Sequence, residues 1–352
     1  MRLSAMNANA DFSKKIIAWQ KSEGRHDLPW QNCFDPYRIW VSEIMLQQTQ
    51  VSTVIPYFNR FMSVFPDIAT LASSSLDAVL AHWSGLGYYS RARNLHLAAK
   101  EIMVVHGGYF PVSFELILGL PGIGRTTAAA LSVFAYGARE AILDGNVKRV
   151  FARYFAIEGN LSGKREEKDL WPLAYSLLPS NEIAIYTQGL MDLGATCCKP
   201  RKPECMRCPL HRDCVAYRQG RVHEFPSKHL RKAIPEKQTV MLVLEHEGKL
   251  LFKRHPEKGL WGGLYVFPQA ETIAEAENFV STWLGMDTLM GRWLEPLMHT
   301  FTHFRLSILP WHIWVKDKVD PGRDEIWMTR SEALGAGLPV PVRKLVRQVI
   351  PD

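Results

Sequence analysis

Two isolated carboxylates, Glu43 and Asp144, have sequence surroundings that would push their pKa values apart. Glu43 lies in the apolar run 40–46, where burial would raise its pKa and keep a proton available. Asp144 precedes a helical pattern of apolar residues that starts at Val147, so it fits a helix start, where backbone amides favour the ionised form. One neutral and one ionised carboxyl could protonate a leaving group and stabilise a developing cation. The residues alone leave a plainer interpretation open, with Glu43 exposed on a helix and Asp144 a simple N-cap.

A Gly-x-Gly hairpin lies twenty residues before Asp144. Residues 120–124 are LPGIG, and Gly122 and Gly124 allow the backbone angles of a tight turn. Helix-forming residues follow from Arg125, so the sequence predicts a helix whose first amides can bind an anion. The hairpin therefore predicts a phosphate-binding element, although ordinary helix–helix turns also carry glycine.

The third candidate group is a cluster of thiols. Four of the six cysteines are spaced as Cys198-x6-Cys205-x2-Cys208-x5-Cys214. Dense thiols in a cytosolic chain favour a metal centre over disulfides, and the spacing alone fits either a four-thiolate zinc site or an iron–sulfur cluster. The neighbouring Cys197 leaves the identity of the first ligand open.

The charge balance agrees with a polyanionic partner. The 352 residues carry a formal charge of +7, with a pI near 9.0. The loop inside the thiol cluster adds Lys199, Arg201 and Lys202, which a metal-stapled turn would hold rigidly toward phosphate. No apolar run approaches the roughly 18 residues of a membrane span. The first residues lack a signal-peptide pattern, so we expect a cytoplasmic protein, associated with the nucleoid of a bacterium.

The texture of the chain changes after the last cysteine. From Asp11 to Ala216 apolar residues recur at helical spacing, and a basic stretch with two prolines follows. Beyond it, residues 239–254 are typical of strand, glycine turn and strand, and 273–284 of a helix. We predict an all-α domain over 1–226, a linker over 227–237 and an α+β domain over 238–352.

Several strings together resemble the MutY-type adenine DNA glycosylases of the helix-hairpin-helix, endonuclease III-related superfamily. They are LPGIG, LDGNVKR and the cysteine spacing, together with VSEIMLQQTQV at 41–51, GLGYYSRARNLH at 85–96 and MDLGATCC at 191–198. The resemblance covers essentially the whole chain. It implies a six-helix barrel over 31–144, a cluster-bearing half made of the N-terminal helix and 145–226, and a [4Fe–4S] cluster on the four cysteines.

The resemblance also assigns chemistry to the carboxylates. It implies that Glu43 protonates N7 of an extruded adenine, that Asp144 stabilises an oxocarbenium-like sugar and that Asn146 supports it. Related enzymes that also cut the strand carry a lysine after the hairpin, where this chain has Thr126. A hydroxyl cannot form a Schiff base, so we predict hydrolysis by water that leaves an abasic site in an intact strand.

Contacts with DNA follow from the same resemblance, because the target base must leave the duplex. Gln48 and Tyr88 resemble residues that wedge beside the opposing base, and Arg91 is a candidate phosphate contact. The candidate adenine pocket consists of His26, Leu28, Trp30, Gln31, Leu46 and Gln188.

The C-terminal part resembles the Nudix fold through GLWGGLYVFP at 259–268 and the helix after it. That helix lacks the repeated carboxylates that bind Mg²⁺ in Nudix hydrolases, so we expect binding without hydrolysis. The resemblance implies that a loop at Phe301, Thr302 and His303 recognises 8-oxoguanine opposite the adenine. By pattern alone the same residues fit a strand with alternating faces.

The expected partner is double-stranded DNA with 8-oxoguanine:A or G:A mispairs, bound by a monomer. Three alternatives stay open: an endonuclease III-like glycosylase/lyase acting on oxidised pyrimidines, a non-catalytic DNA-binding cluster protein and a Nudix-type nucleotide hydrolase. Thr126 and the extra domain argue against the first, idle carboxylates would be needed for the second, and the missing metal helix argues against the third.

Overall fold

The protein is described here by a computed structural model, which covers residues 2–161, 163–227, 234–257, 259–284, 290–316 and 320–349. The chain divides into two compact units. The first unit comprises 1–62, 67–69 and 97–231, and the second unit comprises 63–66, 70–96 and 232–352. Of the predicted linker, residues 228–233 lie outside the described residues, and the domain limits at 226 and 238 stay a prediction.

The chain up to residue 218 is helical, as predicted. Its helices are α1 (Arg2–Glu23), α2 (Pro36–Leu46), α3 (Val51–Val64), α4 (Ile68–Ser73), α5 (Leu76–Trp83), α6 (Ser90–Val105), α7 (Phe114–Gly119), α8 (Arg125–Tyr136), α9 (Gly145–Phe155), α10 (Lys164–Ser176), α11 (Ile183–Asp192) and α12 (Val215–Arg218). A π-helical turn, Leu193–Cys197, continues α11 toward the cysteines.

Glycine and aspartate set the limits of the helices that matter most. Helix α8 begins at Arg125, as predicted, after Gly124 in an extended conformation, and it ends at Gly137 with φ 66°. In the hairpin before it, Gly122 has φ 77°, which favours glycine. Helix α9 begins after Asp144, whose side chain accepts the Val147 amide proton, so the predicted N-cap is confirmed.

The first unit has an aromatic core where α1, α9 and α11 meet. Phe12 packs edge-on against Tyr154 and Tyr186, with ring centroids 4.8 and 6.5 Å apart. Helices α1 and α11 approach closely because Gly189 has no side chain. A Cβ there would lie 2.7 Å from Cγ2 of Ile16.

The C-terminal part of the second unit is an eight-stranded mixed sheet. Its strands are β1 (Glu236–His246), β2 (Lys249–Arg254), β3 (Tyr265–Val266), β4 (Gln269–Ala270), β5 (Met290–Trp293), β6 (Leu297–Thr300), β7 (Arg305–Trp314) and β8 (Glu325–Thr329). The main path runs β3-β2-β1-β7-β5, with β4 on β1, β6 on β7 and β8 on β2. Strands β1 and β7 are parallel, with Glu236 opposite Arg305. The predicted strand–turn–strand unit is confirmed as β1 and β2.

Helices α13 (Ile273–Leu284), α14 (Arg330–Gly335) and α15 (Val340–Val349) complete this part. Helix α13 has the predicted limits and packs Ala276 and Val280 into a core with Val240 and Leu242 of β1. Residues 301–304 form a turn between β6 and β7, so the interpretation of these residues as strand is wrong. None of the described helices is long and apolar enough to span a membrane.

Candidate active site

Glu43 lies half-buried on α2, in the first unit, beside side chains that shield it from water. The neighbouring Ser42, Ile44 and Met45 are buried, and so is most of the helix. Burial, with a smaller contribution from the charge of Asp144, raises the pKa of Glu43 to about 7. The prediction of a carboxyl that keeps its proton near neutral pH is therefore supported, and the interpretation of Glu43 as an exposed helix residue is wrong.

Asp144 sits at the start of α9 with its carboxylate turned toward backbone amides. Oδ1 accepts the Val147 amide proton at 2.7 Å, and Oδ2 accepts from Nδ2 of Asn146 at 3.4 Å. Burial nevertheless raises the pKa of Asp144, and the amides and Arg149 only partly lower it. The amides at the helix start thus favour the ionised form of Asp144, as expected, while burial opposes them.

The two carboxylates form one electrostatic system, because the charge of Asp144 is one reason why the Glu43 proton is retained. Helix α8, which follows the hairpin, contacts the segment that leads into Asp144. Oγ1 of Thr126 accepts the Leu143 amide proton at 3.4 Å, directly before Asp144. From α2, Nε2 of Gln47 donates to Oγ1 of Thr127 at 3.3 Å. Helix α8 is thus joined by hydrogen bonds to α2 and to the segment directly before Asp144.

Arg149, which sequence reasoning missed, connects the start of α9 with the cysteine loop. Its Nη2 donates to Oδ1 of Asn146 at 2.8 Å and to the carbonyl of Gly194 at 2.6 Å. Its Nε donates to the carbonyl of Cys198 at 2.8 Å. A buried guanidinium with this many carbonyl partners is a rigid brace. In the sequence it stands out only as a basic residue in the apolar pattern of α9.

Gly194 makes this brace possible. A Cβ at Gly194 would lie 2.5 Å from Cβ of Asn146 and 3.1 Å from its Cα. The π-helical turn can approach the start of α9 only because residue 194 has no side chain.

The cysteines lie together at one pocket of the first unit. Its lining includes Cys197, Cys198, Cys205, Cys208 and Cys214. The carbonyl and Sγ of Cys198 both accept hydrogen bonds from Nη1 of Arg153, at 3.3 Å. Within the described residues, no three His, Cys, Asp or Glu side chains are grouped closely enough to hold a single metal ion.

Comparison with known proteins agrees with both parts of the chain. Residues 41–174 match the HhH-GPD superfamily of base excision DNA repair proteins, and 239–348 match the NUDIX domain. The adenine DNA glycosylase of Buchnera aphidicola subsp. Acyrthosiphon pisum is 38% identical over 341 residues, covering 95% of this chain and 96% of the relative. The human adenine DNA glycosylase is 32% identical over 406 residues, covering 96% of this chain and 73% of the relative. This chain belongs to the adenine DNA glycosylases.

Solved structures resemble the helical part of this glycosylase. A thermostable thymine-DNA glycosylase superposes with a TM-score of 0.56 and 31% identity, over 61% of this chain and 99% of the other. Endonuclease III in a non-covalent complex with DNA gives 0.51 and 18% identity, over 59% of this chain and 94% of the other, which shows a shared fold. The enzyme is therefore a base-excision-repair hydrolase that acts on N-glycosyl bonds, built on a helix-hairpin-helix fold with a Nudix-like domain.

The candidate adenine pocket residues differ in exposure. Leu28 and Trp30 are buried, and the Trp30 ring packs edge-on against Phe58 at 5.3 Å. Gln31 turns inward along the backbone, where its Oε1 accepts the Leu28 amide proton at 3.1 Å. His26 is exposed, whereas Leu46 and Gln188 are half-buried. The apolar residues Leu28 and Trp30 are thus firmly packed. The polar candidates differ in how firmly their side chains are held.

The candidate DNA contacts divide in the same way. Gln48 is exposed with φ 57°, and Arg201 and Lys202 are exposed in the cysteine loop. Lys199 forms an ion pair with Glu204 at 2.5 Å. Arg91 is only 8% exposed, and burial lowers its pKa to about 10. Its guanidinium packs over the Trp83 and Tyr88 rings and donates to the Gly87 carbonyl, and its role as a phosphate contact stays a prediction.

In the second unit, two predicted DNA contacts meet. Oη of Tyr88 and Oγ1 of Thr302 are 3.1 Å apart, and Tyr88 is 44% exposed with φ 49°. Thr302 and His303 are exposed at the tip of the β6–β7 turn. Phe301 holds the base of the turn, where its ring stacks on Phe304 with centroids 4.6 Å apart.

Proposed function

We propose that this glycosylase removes adenine opposite 8-oxoguanine or guanine in duplex DNA and leaves an abasic site in an uncut strand. The observation that carries the proposal is the coupled pair of carboxylates: Glu43 has a pKa of about 7 beside Asp144. An acid that is protonated near neutral pH suits departure of a purine, which needs a proton on the leaving base. We further infer that the enzyme works as a monomer on nucleoid DNA in a bacterial cytoplasm.

Glu43 supplies the proton in this scheme. Near neutral pH about half of the enzyme holds it, so the group is both available and acidic enough to give it up. Asp144 is the remaining charge when Glu43 is neutral, and it is fixed by the Val147 amide. A carboxylate held this way can stabilise a cationic sugar without reorganising.

Thr126 supports hydrolysis without strand cleavage. Its hydroxyl is engaged with the Leu143 amide at 3.4 Å and is not a nucleophilic amine. Water is then the group that completes the reaction, and the strand stays closed.

We propose a [4Fe–4S] cluster for the cysteine pocket, with Cys198, Cys205, Cys208 and Cys214 as ligands. The four thiols line one pocket, and four thiolates are the ligand set of a [4Fe–4S] cluster. Such a cluster would fix the cysteine loop that presents Arg201 and Lys202. Equal amounts of iron and acid-labile sulfide in purified protein, with negligible zinc, are the expected analysis.

Opposite-base recognition is proposed for the β6–β7 turn with Tyr88. Thr302 and His303 offer exposed polar groups, and 8-oxoguanine differs from guanine in O8 and in the N7 proton. The Tyr88–Thr302 contact places a candidate wedge beside this turn.

The test compares duplexes with A opposite 8-oxoguanine, A opposite G, A opposite T and thymine glycol opposite A. Strand breaks are measured with and without alkali, and a parallel sample contains borohydride. We expect breaks in the first two duplexes only, and only after alkali. Breaks without alkali together with a borohydride-trapped adduct would show a lyase, and breaks at thymine glycol would support the pyrimidine-specific alternative.

A further inference from the structure

Asp192 at the end of α11 is a fully buried carboxylate whose side-chain contacts are all hydrogen-bond donors. Oδ2 accepts the backbone amide proton of Arg25 at 2.8 Å. Oδ1 accepts from Nε and Nη2 of Arg25 at 2.8 and 2.5 Å. Oδ1 also accepts from Nε2 of Gln188 at 2.9 Å. Burial makes these charge-assisted bonds strong, since the side chain of Asp192 is 0% exposed.

These contacts determine which way the amide of Gln188 faces. A carboxylate can only accept hydrogen bonds, whereas an amide has one accepting and one donating end. Nε2 of Gln188 must therefore face Asp192, and Oε1 faces away from it. The chemistry of the partner fixes this orientation.

Helix α11 borders the carboxylate site. It packs against α8, whose first turn carries Thr126, and against α9, which begins directly after Asp144. Two residues beyond Asp192, Gly194 touches Asn146. Gln188, one turn before Asp192, is half-buried on α11.

Arg25 extends the same anchor to the candidate pocket loop. Its carbonyl accepts from Nε2 of Gln20 at 3.4 Å. The preceding Gly24 allows this contact, because a Cβ there would lie 2.2 Å from the Gln20 amide carbon. Arg25 is thus held at its amide, its carbonyl and its guanidinium, three residues before the buried Leu28.

We propose that Asp192, together with Arg25, is a positioning residue for base selectivity. It holds Gln188 with its amide oxygen toward the extruded base, so that the site accepts the exocyclic amine of a 6-aminopurine and disfavours the carbonyl of a 6-oxopurine. An amine at position 6 donates to that oxygen, whereas a carbonyl would place two acceptors against each other. The inference rests on the proposed function, because it takes Gln188 to line the adenine pocket.

The test is a ratio of single-turnover excision rates for adenine, hypoxanthine and unsubstituted purine, all placed opposite 8-oxoguanine in one duplex sequence. Asp192→Leu removes both accepting oxygens at similar volume, so Nε2 of Gln188 loses the partner that fixes the orientation of its amide. We expect the adenine-to-hypoxanthine ratio to fall about tenfold. The rate on unsubstituted purine should fall no more than the rate on hypoxanthine, because neither base donates at position 6. Gln188→Met, which keeps the Arg25–Asp192 pair, should lower the ratio by a similar factor.

Glu182→Gln is the matched control. Glu182 and Lys21 form an ion pair between the same two segments, at 2.5 Å, but both side chains are about half-exposed. This variant should keep the wild-type ratio. Equal losses on all three bases in Asp192→Leu, or an unchanged ratio in Gln188→Met, would overturn the proposal. All substrates share one opposite base, so failure of the 8-oxoguanine preference would appear separately, as equal rates for A opposite 8-oxoguanine and A opposite G.

Discussion

In the first unit, the groups nearest the carboxylates are buried or half-buried and are held by several partners. In the second unit, by contrast, the turn that we propose to meet the opposite base is exposed. Asn146 is held by Arg149, and Arg149 also binds two carbonyls of the cysteine segment. Thr302 and His303 are exposed, and Thr302 contacts another exposed side chain, Tyr88. The difference indicates that chemistry depends on a rigid site and recognition on an adaptable one. Substitutions should therefore have large effects in the first region and graded effects in the second.

Helix α13 turns Ala276 and Val280 into the core, while Glu275 and Glu277 are exposed. Oε2 of Glu275 accepts the Glu271 amide proton at 2.9 Å, a capping contact. Glu275 therefore serves the start of α13, and binding without hydrolysis stays a prediction for this domain.

The largest effect is expected for Asp144→Asn. Asparagine caps a helix about as well as aspartate, so the fold should be kept while the charge is lost. Excision of adenine opposite 8-oxoguanine should slow by about a thousandfold, measured under single-turnover conditions. Asp35→Asn makes the same exchange at the N-cap of α2 and should leave the rate unchanged. A near-wild-type rate in Asp144→Asn would remove the contrast between the two regions.

Gly194→Ala tests whether the cysteine segment positions the start of α9. The added Cβ would meet Asn146 at 2.5 Å, so one of the two segments must shift. A displacement of this kind should cost about tenfold to a hundredfold in rate. Gly189→Ala is the control on the same helix, because its Cβ would meet Ile16 instead.

The two glycine variants should differ in kind. Gly189→Ala should lower the melting temperature while the rate per folded molecule stays close to wild type. If Gly194→Ala showed only this behaviour, the buried brace would be a stabilising element and would have no role in positioning Asp144.

The smallest effect is expected in the exposed turn. Thr302→Ala combined with His303→Ala should lower the preference for 8-oxoguanine over guanine by about fivefold to tenfold, with little change in excision of A opposite G. The measurement is the ratio of kcat/KM for the two duplexes. Thr300→Ala, on the exposed face of β6, should leave the ratio intact. An unchanged preference for 8-oxoguanine over guanine in the double variant would show that the turn has no role in recognition.

Local features could be predicted from the sequence because local residues cause them. The start of α8 at Arg125, the cap at Asp144 and the limits of α13 each depend on a few neighbouring side chains. The same holds for β1 and β2, which are joined by a short glycine turn.

Long-range packing explains what sequence reasoning missed. Arg149 and Gly194 are 45 positions apart in the chain, and Arg25 and Asp192 are 167 apart, so neither contact has a local signature. Burial likewise has no local signature. It raises the pKa of Asp144 against the amides of the helix start, and it leaves Arg91 only 8% exposed. How dry a site becomes depends on elements far away in the chain.

The raised pKa of Glu43 also determines how the stability of the protein changes with pH. Its pKa is above the ordinary glutamate value in the folded protein, so its contribution is present at low pH and is lost as the pH rises through about 7. Glu43→Gln should therefore be more stable than wild type at alkaline pH, and the difference in melting temperature should shrink in acid.

The pH dependence of single-turnover excision of adenine opposite 8-oxoguanine tests the central claim most directly, with wild type and Glu43→Gln compared from about pH 5 to about pH 9. If Glu43 is the acid, the wild-type rate constant falls about tenfold per pH unit above the pKa near 7. Glu43→Gln should be much slower and should lack that limb. A wild-type rate that stays level through this range, or a variant that keeps the same limb, would contradict the assignment of Glu43 as the proton donor.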